Sequence, residues 1–379
     1  MHFSIAHRAL HRLRQRRPHR LVTGLICTWV IACTAVPARA TTPGTPAYRA
    51  KVATAATAAT APHYELHPQA AEFIAEAAQR RNLDAAAMRA ALARAQRLSA
   101  VQKLIMPPPA GTAKNWAAYR ARFIEPQRIQ QGLDFWRQNE SWLHEAQERW
   151  GVPPEVVVAI IGVETFYGRV TGNFRVIDAL ATLSFDFPPG RRDRSAFFRS
   201  ELEEFFVWCQ REGIDPLTVK GSFAGAIGLP QFMPGSINRH AVDFDGDGRT
   251  NLLRSPADAV GSVAHYLAQF GWQRGLATTF GVAVPVDTAD RAALLAPDIL
   301  PTFSAAEFAG RGAVLDAAGQ AHDGLLALVE LQNGDLAPSH VAGTRNFWAI
   351  TRYNWSSYYA MAVIELGEAV WAQRPSIAR

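Results

Sequence analysis

The sequence predicts a mainly α-helical α+β protein whose β component is a small insert late in the chain. Three observations carry this. Apolar residues recur at helical spacing over residues 69–98 and 115–150. Residues 152–164 open on consecutive prolines and are apolar on nearly every side, as in a buried helix. Strand-like patterning is scarce before residue 276.

Residues 1–40 read as a secretory signal peptide. The first 20 are rich in Arg and His and hold no acidic residue. Residues 21–32 are apolar but too short to cross a bilayer as a helix. Pro37 breaks that run, and Ala38-Arg39-Ala40 forms a small-x-small site before Thr41. A second exit stays open, because Val30-Ile31-Ala32-Cys33 resembles the box at which bacterial lipoproteins are cut and acylated. That exit would attach the protein to the outer membrane by a lipid on Cys33. An uncleaved anchor helix is the third reading. Either cleavage leaves the protein in the periplasm.

The leader also accounts for the charge. The whole chain is formally +6, but residues 1–40 hold seven Arg and no acid, leaving 32 basic against 33 acidic residues beyond them. The mature chain is therefore close to neutral, which speaks against a nucleic-acid partner. Cys27 and Cys33 lie in the leader, so cleavage at Ala40 leaves Cys209 alone and excludes an internal disulfide framework. Cys209 sits in the apolar run FFVWCQ and reads as a core residue.

Residues 41–66, rich in Ala, Thr and Pro, read as a flexible tether. An N-terminal helical region follows over 67–150, interrupted at Pro107-Pro108-Pro109 and closed by Gly151. A core occupies 151–275, the β-containing insert 276–345, and a C-terminal segment 346–379, with a helix from Ser357 to Ala372.

Within the core, Glu164 falls near the C-terminal end of the apolar helix, one turn after Ile160 and Ile161. Apolar surroundings and the negative end of the helix dipole both resist its ionisation. A raised carboxyl is what a general acid for a glycosidic oxygen requires. The alternative is a structural ion pair with Arg169 or Arg175. The second dense element runs GSFAGAIGLPQFMP from Gly221, where small residues let backbones and a long polymer approach closely. Its polar groups are Ser222 and Gln231. A tight helix crossing with incidental polar residues is the competing reading.

GVETFYGRVTG, the DALATLSFDF run from Asp178 and GSFAGAIGLPQFMPGS together resemble lytic murein transglycosylases of the B type, members of the lysozyme-like superfamily. The resemblance continues through AVDFDGDGRTNL, GSVAHYL and ITRYNWSSYYAMAV and covers roughly residues 67–373. It implies a lysozyme-like core, action on peptidoglycan glycan strands, and Glu164 as the sole catalytic carboxylate. Ser222 and Gln231 then line the cleft, and Phe232 and Met233 match sugar-contacting positions. Tyr119 matches an aromatic residue holding the muramic acid unit. Tyr353, Asn354 and Tyr359 match a late cluster returning to the site. A family arginine pair meeting the peptide stem falls on an insertion, PPGRRDRSAFF, where Arg191, Arg192 and Arg194 compete, with Arg192 and Arg194 taken here. Pro230 and Gly235 depart from the family pattern.

The resemblance also explains the missing second carboxylate that a conventional glycosidase needs. The substrate's acetamido oxygen and C6 hydroxyl substitute for it, giving a 1,6-anhydromuramoyl end without a cofactor. Asp178 and Asp186 are the nearest alternatives, more simply read as structural. Asp243, Asp245 and Asp247 stand at the first, third and fifth places of an EF-hand-like loop, with Gly246 and Gly248 among them. Arg254 occupies the usual twelfth place. Asp258 closes a longer loop as in the family, with the Arg249 carbonyl as a further ligand, implying a structural calcium. A monomer is expected, with cell-wall synthesis proteins as open partners. Two other functions stay in view: a muramidase-type hydrolase, and a non-catalytic calcium-dependent glycan-binding module.

Overall fold

The computed structural model describes residues 64–107 and 114–374. The leader with Cys33, nearly all of the tether, and Pro108 and Pro109 lie outside the described residues.

After a single 3-10 turn at Tyr64–Leu66, the N-terminal region holds α1 (Pro68–Arg81), α2 (Ala85–Ala93), α3 (Ser99–Leu104), α4 (Trp116–Arg120), α5 (Pro126–Gln138) and α6 (Glu140–Trp150). The expected stretch over 69–98 is thus two helices. Asn82 adopts the left-handed conformation (φ 52°) and ends α1, and Asp84 caps α2 by accepting the amides of Ala86 and Ala87. The stretch over 115–150 breaks at Asn139, a buried residue whose Nδ2 donates to the Phe135 carbonyl at 2.8 Å. Gly151 closes it in the left-handed region (φ 72°), as its position predicts.

The core contributes α7 (Pro154–Thr165), β1 (Phe174–Arg175), α8 (Val176–Phe185), α9 (Ser195–Glu212), β2 (Lys220–Gly221), α10 (Pro234–His240) and α11 (Pro256–Gln269). The two-residue β1–β2 ladder, Phe174 opposite Gly221, has no strand-like pattern behind it and was not expected from sequence. Helix α7 is buried on every side, as its composition demands. It is enclosed by α5, α6, α11 and the C-terminal helix.

The late region holds β3 (Thr279–Ala283), α12 (Thr288–Leu295), α13 (Ala305–Gly310), β4 (Val314–Leu315), α14 (Ala317–Gln320), β5 (Ala327–Asn333) and β6 (Leu336–Gly343), followed by α15 (Arg345–Thr351) and α16 (Ser357–Ala372). The strands form one antiparallel sheet in the order β4-β3-β6-β5. Side chains alternate faces along a strand. On β5, Ala327, Val329 and Leu331 accordingly join the main core, while Leu328 joins a separate small core with Leu294, Phe308 and Leu315. The insert therefore has its own interior and is also anchored to the body.

Gly162 makes room for one close approach. A Cβ there would stand 2.5 Å from the Tyr167 hydroxyl, whose ring enters the space between α5 and α7. Gly162→Ala is expected to destabilise the protein by about 1–3 kcal/mol. Urea denaturation checks this: the midpoint falls with m unchanged, and a wild-type midpoint contradicts the packing.

Candidate active site

Glu164 is placed by a helix end that cannot continue. Phe166 and Tyr167 both take positive φ (52° and 59°), turning the chain away immediately beyond it. Such conformations are uncommon for bulky residues and are tolerated where surrounding structure holds them. The Thr165 hydroxyl donates to the Leu229 carbonyl at 2.9 Å and accepts the Gly168 amide at 3.0 Å. Arg128 donates to the Gly162 carbonyl, and its guanidinium lies 4.6 Å from the Phe166 ring centre. The Thr165 bond fastens the end of α7 to the segment that begins at Gly221, and Arg128 ties it to α5.

That segment is a pair of tight turns. The Ser222 amide donates to the Ala226 carbonyl at 2.9 Å, and Ser222 Oγ accepts the Ala226 amide at 3.0 Å. Gln231, at φ 49°, donates from Nε2 to the Gly228 and Thr171 carbonyls at 2.8 and 3.1 Å. Both polar side chains thus brace the loop that forms one wall.

The opposing wall comes from the end of the chain. Tyr359, on the first turn of α16, donates its hydroxyl to Glu164 Oε1 at 2.6 Å. Tyr353 lies stacked 6.3 Å from Tyr359 and tilted 4.8 Å from Tyr266, its buried hydroxyl without a hydrogen-bond partner among the described residues. Burial pushes the Glu164 carboxyl up to about 7, against a smaller opposing effect of the Tyr359 hydrogen bond. Burial and the adjacent Glu164 charge push Tyr119 up to about 12. The alternative of a structural ion pair fails for both candidates. Arg175 pairs with Asp178 at 2.7 Å, and Arg169 lies near the Phe166 ring.

A cavity of ≈ 370 Å³ opens beside the carboxyl. Its lining brings together Glu164, Ser222, Gln231, Phe232, Met233, Tyr353 and Asn354, all expected from sequence. Tyr119 and Tyr359 meet Glu164 and Asn354 in a small adjoining pocket. Phe232 is only 2% exposed and packs 5.3 Å from Tyr266, so it backs the wall and offers little surface to a ligand. Arg192 and Arg194 are not in the lining. Arg192 is exposed, and Arg194 lies over Phe197, which itself lines the cavity. Residues that sequence reasoning missed include Glu201, Ser236, Arg239, Tyr266 and Arg352. Ser236, Tyr266 and Arg352 lie within the motifs GSFAGAIGLPQFMPGS, GSVAHYL and ITRYNWSSYYAMAV but were given no role, whereas Glu201 and Arg239 lie outside every motif and are brought in by long-range packing.

The carboxylate that accompanies Glu164 in the cavity is Glu201. Asp178 accepts the Gln96 amide besides its bond to Arg175, and Asp186 accepts the Tyr64 hydroxyl at 2.8 Å, so both are structural. Glu201 is buried, accepts the Gly235 amide at 2.8 Å, and has its carboxyl raised by that burial.

A larger cavity, ≈ 490 Å³, lies between α2 and α9 and is lined by Met88, Phe206 and Leu217. Cys209 borders it, with its thiol pushed well up by burial, which suits a core residue. Chemistry favours the smaller cavity, where a perturbed acid meets converging polar groups.

In the acidic loop, Asp243, Asp245 and Asp258 present oxygens within 4.8 Å of one another. Asp258 is fully buried, and desolvation and the Asp245 charge raise its carboxyl despite the Phe244 and Asn251 amides it accepts. Such a set suits a hard cation. Asp247 stands outside that group, its Oδ1 accepting the Arg249 amide at 2.8 Å.

Residues 65–368 match the Transglycosylase SLT domain family. Over 313 residues the chain is 40% identical to the membrane-bound lytic murein transglycosylase B of Escherichia coli (strain K12), covering 80% of this chain and 83% of that protein. Its fold is similar to the crystal structure of the soluble lytic transglycosylase SltB1 from Pseudomonas aeruginosa, with TM-score 0.73 and 39% identity over 80% of this chain and 99% of that one. The E. coli lytic transglycosylase SLT35 solved with calcium is similar at TM-score 0.71 and 38% identity, over 83% and 96% of the two chains.

Burial of Glu164 carries a stability consequence. Its folded pKa of about 7 exceeds the ordinary 4.5, so between those values the folded chain keeps a proton that the unfolded chain releases. Stability falls as pH rises through that window. Glu164→Gln, which cannot ionise, is expected to be more stable than wild type at pH about 8 by roughly 1–3 kcal/mol. Denaturant titrations at two pH values check this, the advantage shrinking near pH about 5.

Proposed function

Since the chain belongs to the Transglycosylase SLT domain family and is a lytic murein transglycosylase, we propose that Glu164 performs both proton transfers of its reaction. The observation that carries this is the carboxyl itself, walled in at the cleft, pushed up to about 7, and bonded to a neutral phenol. The substrate is the peptidoglycan glycan strand, cut at the β-1,4 bond between muramic acid and glucosamine units.

Protonated Glu164 gives its proton to the glycosidic oxygen as the C1–O bond breaks. The acetamido oxygen of the muramic unit stabilises the cation at C1. Glu164, now a carboxylate, takes the proton of the C6 hydroxyl as that oxygen bonds to C1, closing the 1,6-anhydro ring. No water is consumed, and the acid is returned to its starting state. Tyr359 holds the carboxyl by one oxygen, leaving the other for transfer. Tyr119, Ser222, Gln231, Met233, Tyr353 and Asn354 position the sugars, with Phe232 behind them.

A hydrolase is the second reading, favoured by Glu201 alone, which shares the cavity with Glu164. One Glu201 oxygen accepts the Gly235 amide, and the mass of the released ends decides between the two readings.

Two further proposals accompany the site. Calcium would be held by Asp243, Asp245 and Asp258, with Asp247, which stands outside that cluster, and the Arg249 carbonyl completing the set the resemblance implies, and would supply only loop stability. The chain acts in the periplasm after export, carrying either a free Thr41 or a lipid on Cys33. No described helix is long and apolar enough to cross a membrane.

Mass spectrometry of muropeptides released from purified peptidoglycan tests the reaction. Anhydro ends are expected from wild type, with a loss of at least roughly a thousandfold in Glu164→Gln. Ends heavier by one water would make it a hydrolase. The wild-type rate should decline as pH rises through about 7, where the acid form is lost. Calcium at a hundredfold excess over Kd should stabilise the protein by about 3 kcal/mol, an effect that a chelator reverses and Asp245→Asn diminishes. A calcium-insensitive melting curve contradicts the metal assignment. The mass of the mature N-terminus decides between Thr41 and acylated Cys33.

A further inference from the structure

The cleft has a cationic position that the bond-breaking chemistry does not use. Gly235, one of the two departures from the family pattern, is the second residue of α10. A Cβ built there would meet Arg239 Nη2 at 2.9 Å, Arg239 Nη1 at 3.0 Å and Glu201 Oε1 at 3.1 Å. The missing side chain is therefore what lets the Arg239 guanidinium fold back over the start of its own helix, onto the wall it shares with Glu164 and Ser236. Glu201 turns its other oxygen to the Gly235 amide. Arg239 is exposed and, among the described residues, makes no ion pair within 4.0 Å; Glu201 is the neighbouring acid, its burial raising its carboxyl against the opposing Arg239 charge. Arg352, the other arginine of the lining, is occupied differently, lying over the Phe270, Trp348 and Trp355 rings.

We propose that Arg239 is a carboxylate-binding position of the cleft, selecting for an acidic group carried by the glycan. The inference rests on the cleft being the glycan site. Sugar rings of the strand are neutral, so the carboxylate comes from one of two sources. One is the peptide stem. The other is the lactyl group of a muramic unit that has lost its stem. A guanidinium suits either, because its planar fork can grip both carboxylate oxygens.

The test is equilibrium binding to the Glu164→Gln protein, which does not turn over its ligand, with and without Arg239→Gln. Three oligosaccharides of equal length are compared: stem-bearing, stem-stripped with free lactyl groups, and an all-N-acetylglucosamine oligomer without carboxylates. A charged ligand should bind roughly tenfold tighter than the neutral one. That advantage should vanish in Arg239→Gln, persist in part in Arg239→Lys, and shrink with added salt. Whichever charged ligand loses its advantage identifies the source. No advantage at the outset, or an advantage unchanged in Arg239→Gln, overturns the proposal. Should Arg239→Gln fail to fold, the salt series on the Glu164→Gln protein decides, a salt-insensitive advantage counting against Arg239. Absence of anhydro ends from wild type would remove the reading of the site itself. Anhydro ends with an unchanged advantage would remove this inference alone.

Discussion

The hydrogen bond from Tyr359 to Glu164 joins residues 195 positions apart and sets the constraint around which the site is assembled. A carboxyl taken out of water resists ionisation, and its partner decides what happens next. An arginine would hold it ionised and its pKa low, leaving no proton to give. A phenol hydroxyl satisfies one oxygen while adding no charge, so the carboxyl stays near 7. The aromatic wall of Tyr359, Tyr353 and Tyr266 extends the same condition, excluding water without introducing a counter-charge.

Holding that carboxyl in place draws on distant parts of the described chain. Helix α7 is enclosed by helices from the N-terminal region, the core and the C-terminus. The insert contributes as well, through an aromatic bridge. Tyr358 donates to the Gln332 carbonyl of β5 at 2.8 Å, and its ring meets Tyr119 and Trp116, each at 5.8 Å. Tyr119 in turn borders Glu164. A sheet with its own small interior thereby supports a side chain at the Glu164 carboxyl. Two successive left-handed residues beyond α7 are the local strain that this packing sustains.

Much of this was legible in the sequence because it is local. The all-apolar surround of α7, the glycine that ends α6 and the bounds of α16 follow from periodicity and caps. Glu164 stood out because an acid at the end of an apolar helix needs a reason. Other features depend on distant contacts. Nothing near Asn82 announces that an asparagine, without Gly or Pro, ends α1. Glu201 and Arg239 drew no reading from sequence, because they meet the cavity only once α9 and α10 pack together. The arginines of PPGRRDRSAFF were placed by family position, and the insertion there leaves Arg192 and Arg194 outside the cavity lining. Departures such as Gly235 carried no meaning until the atoms around its Cα could be measured.

The central claim is that burial keeps Glu164 protonated near neutrality, and the direct measurement is titration of that carboxyl. Infrared difference spectroscopy of wild type against Glu164→Gln isolates its carbonyl band from the other acids. The account predicts a midpoint of about 7, moving higher in Tyr359→Phe because the hydroxyl that favours the ionised form is gone. A midpoint at the ordinary 4.5, unmoved by Tyr359→Phe, would contradict it.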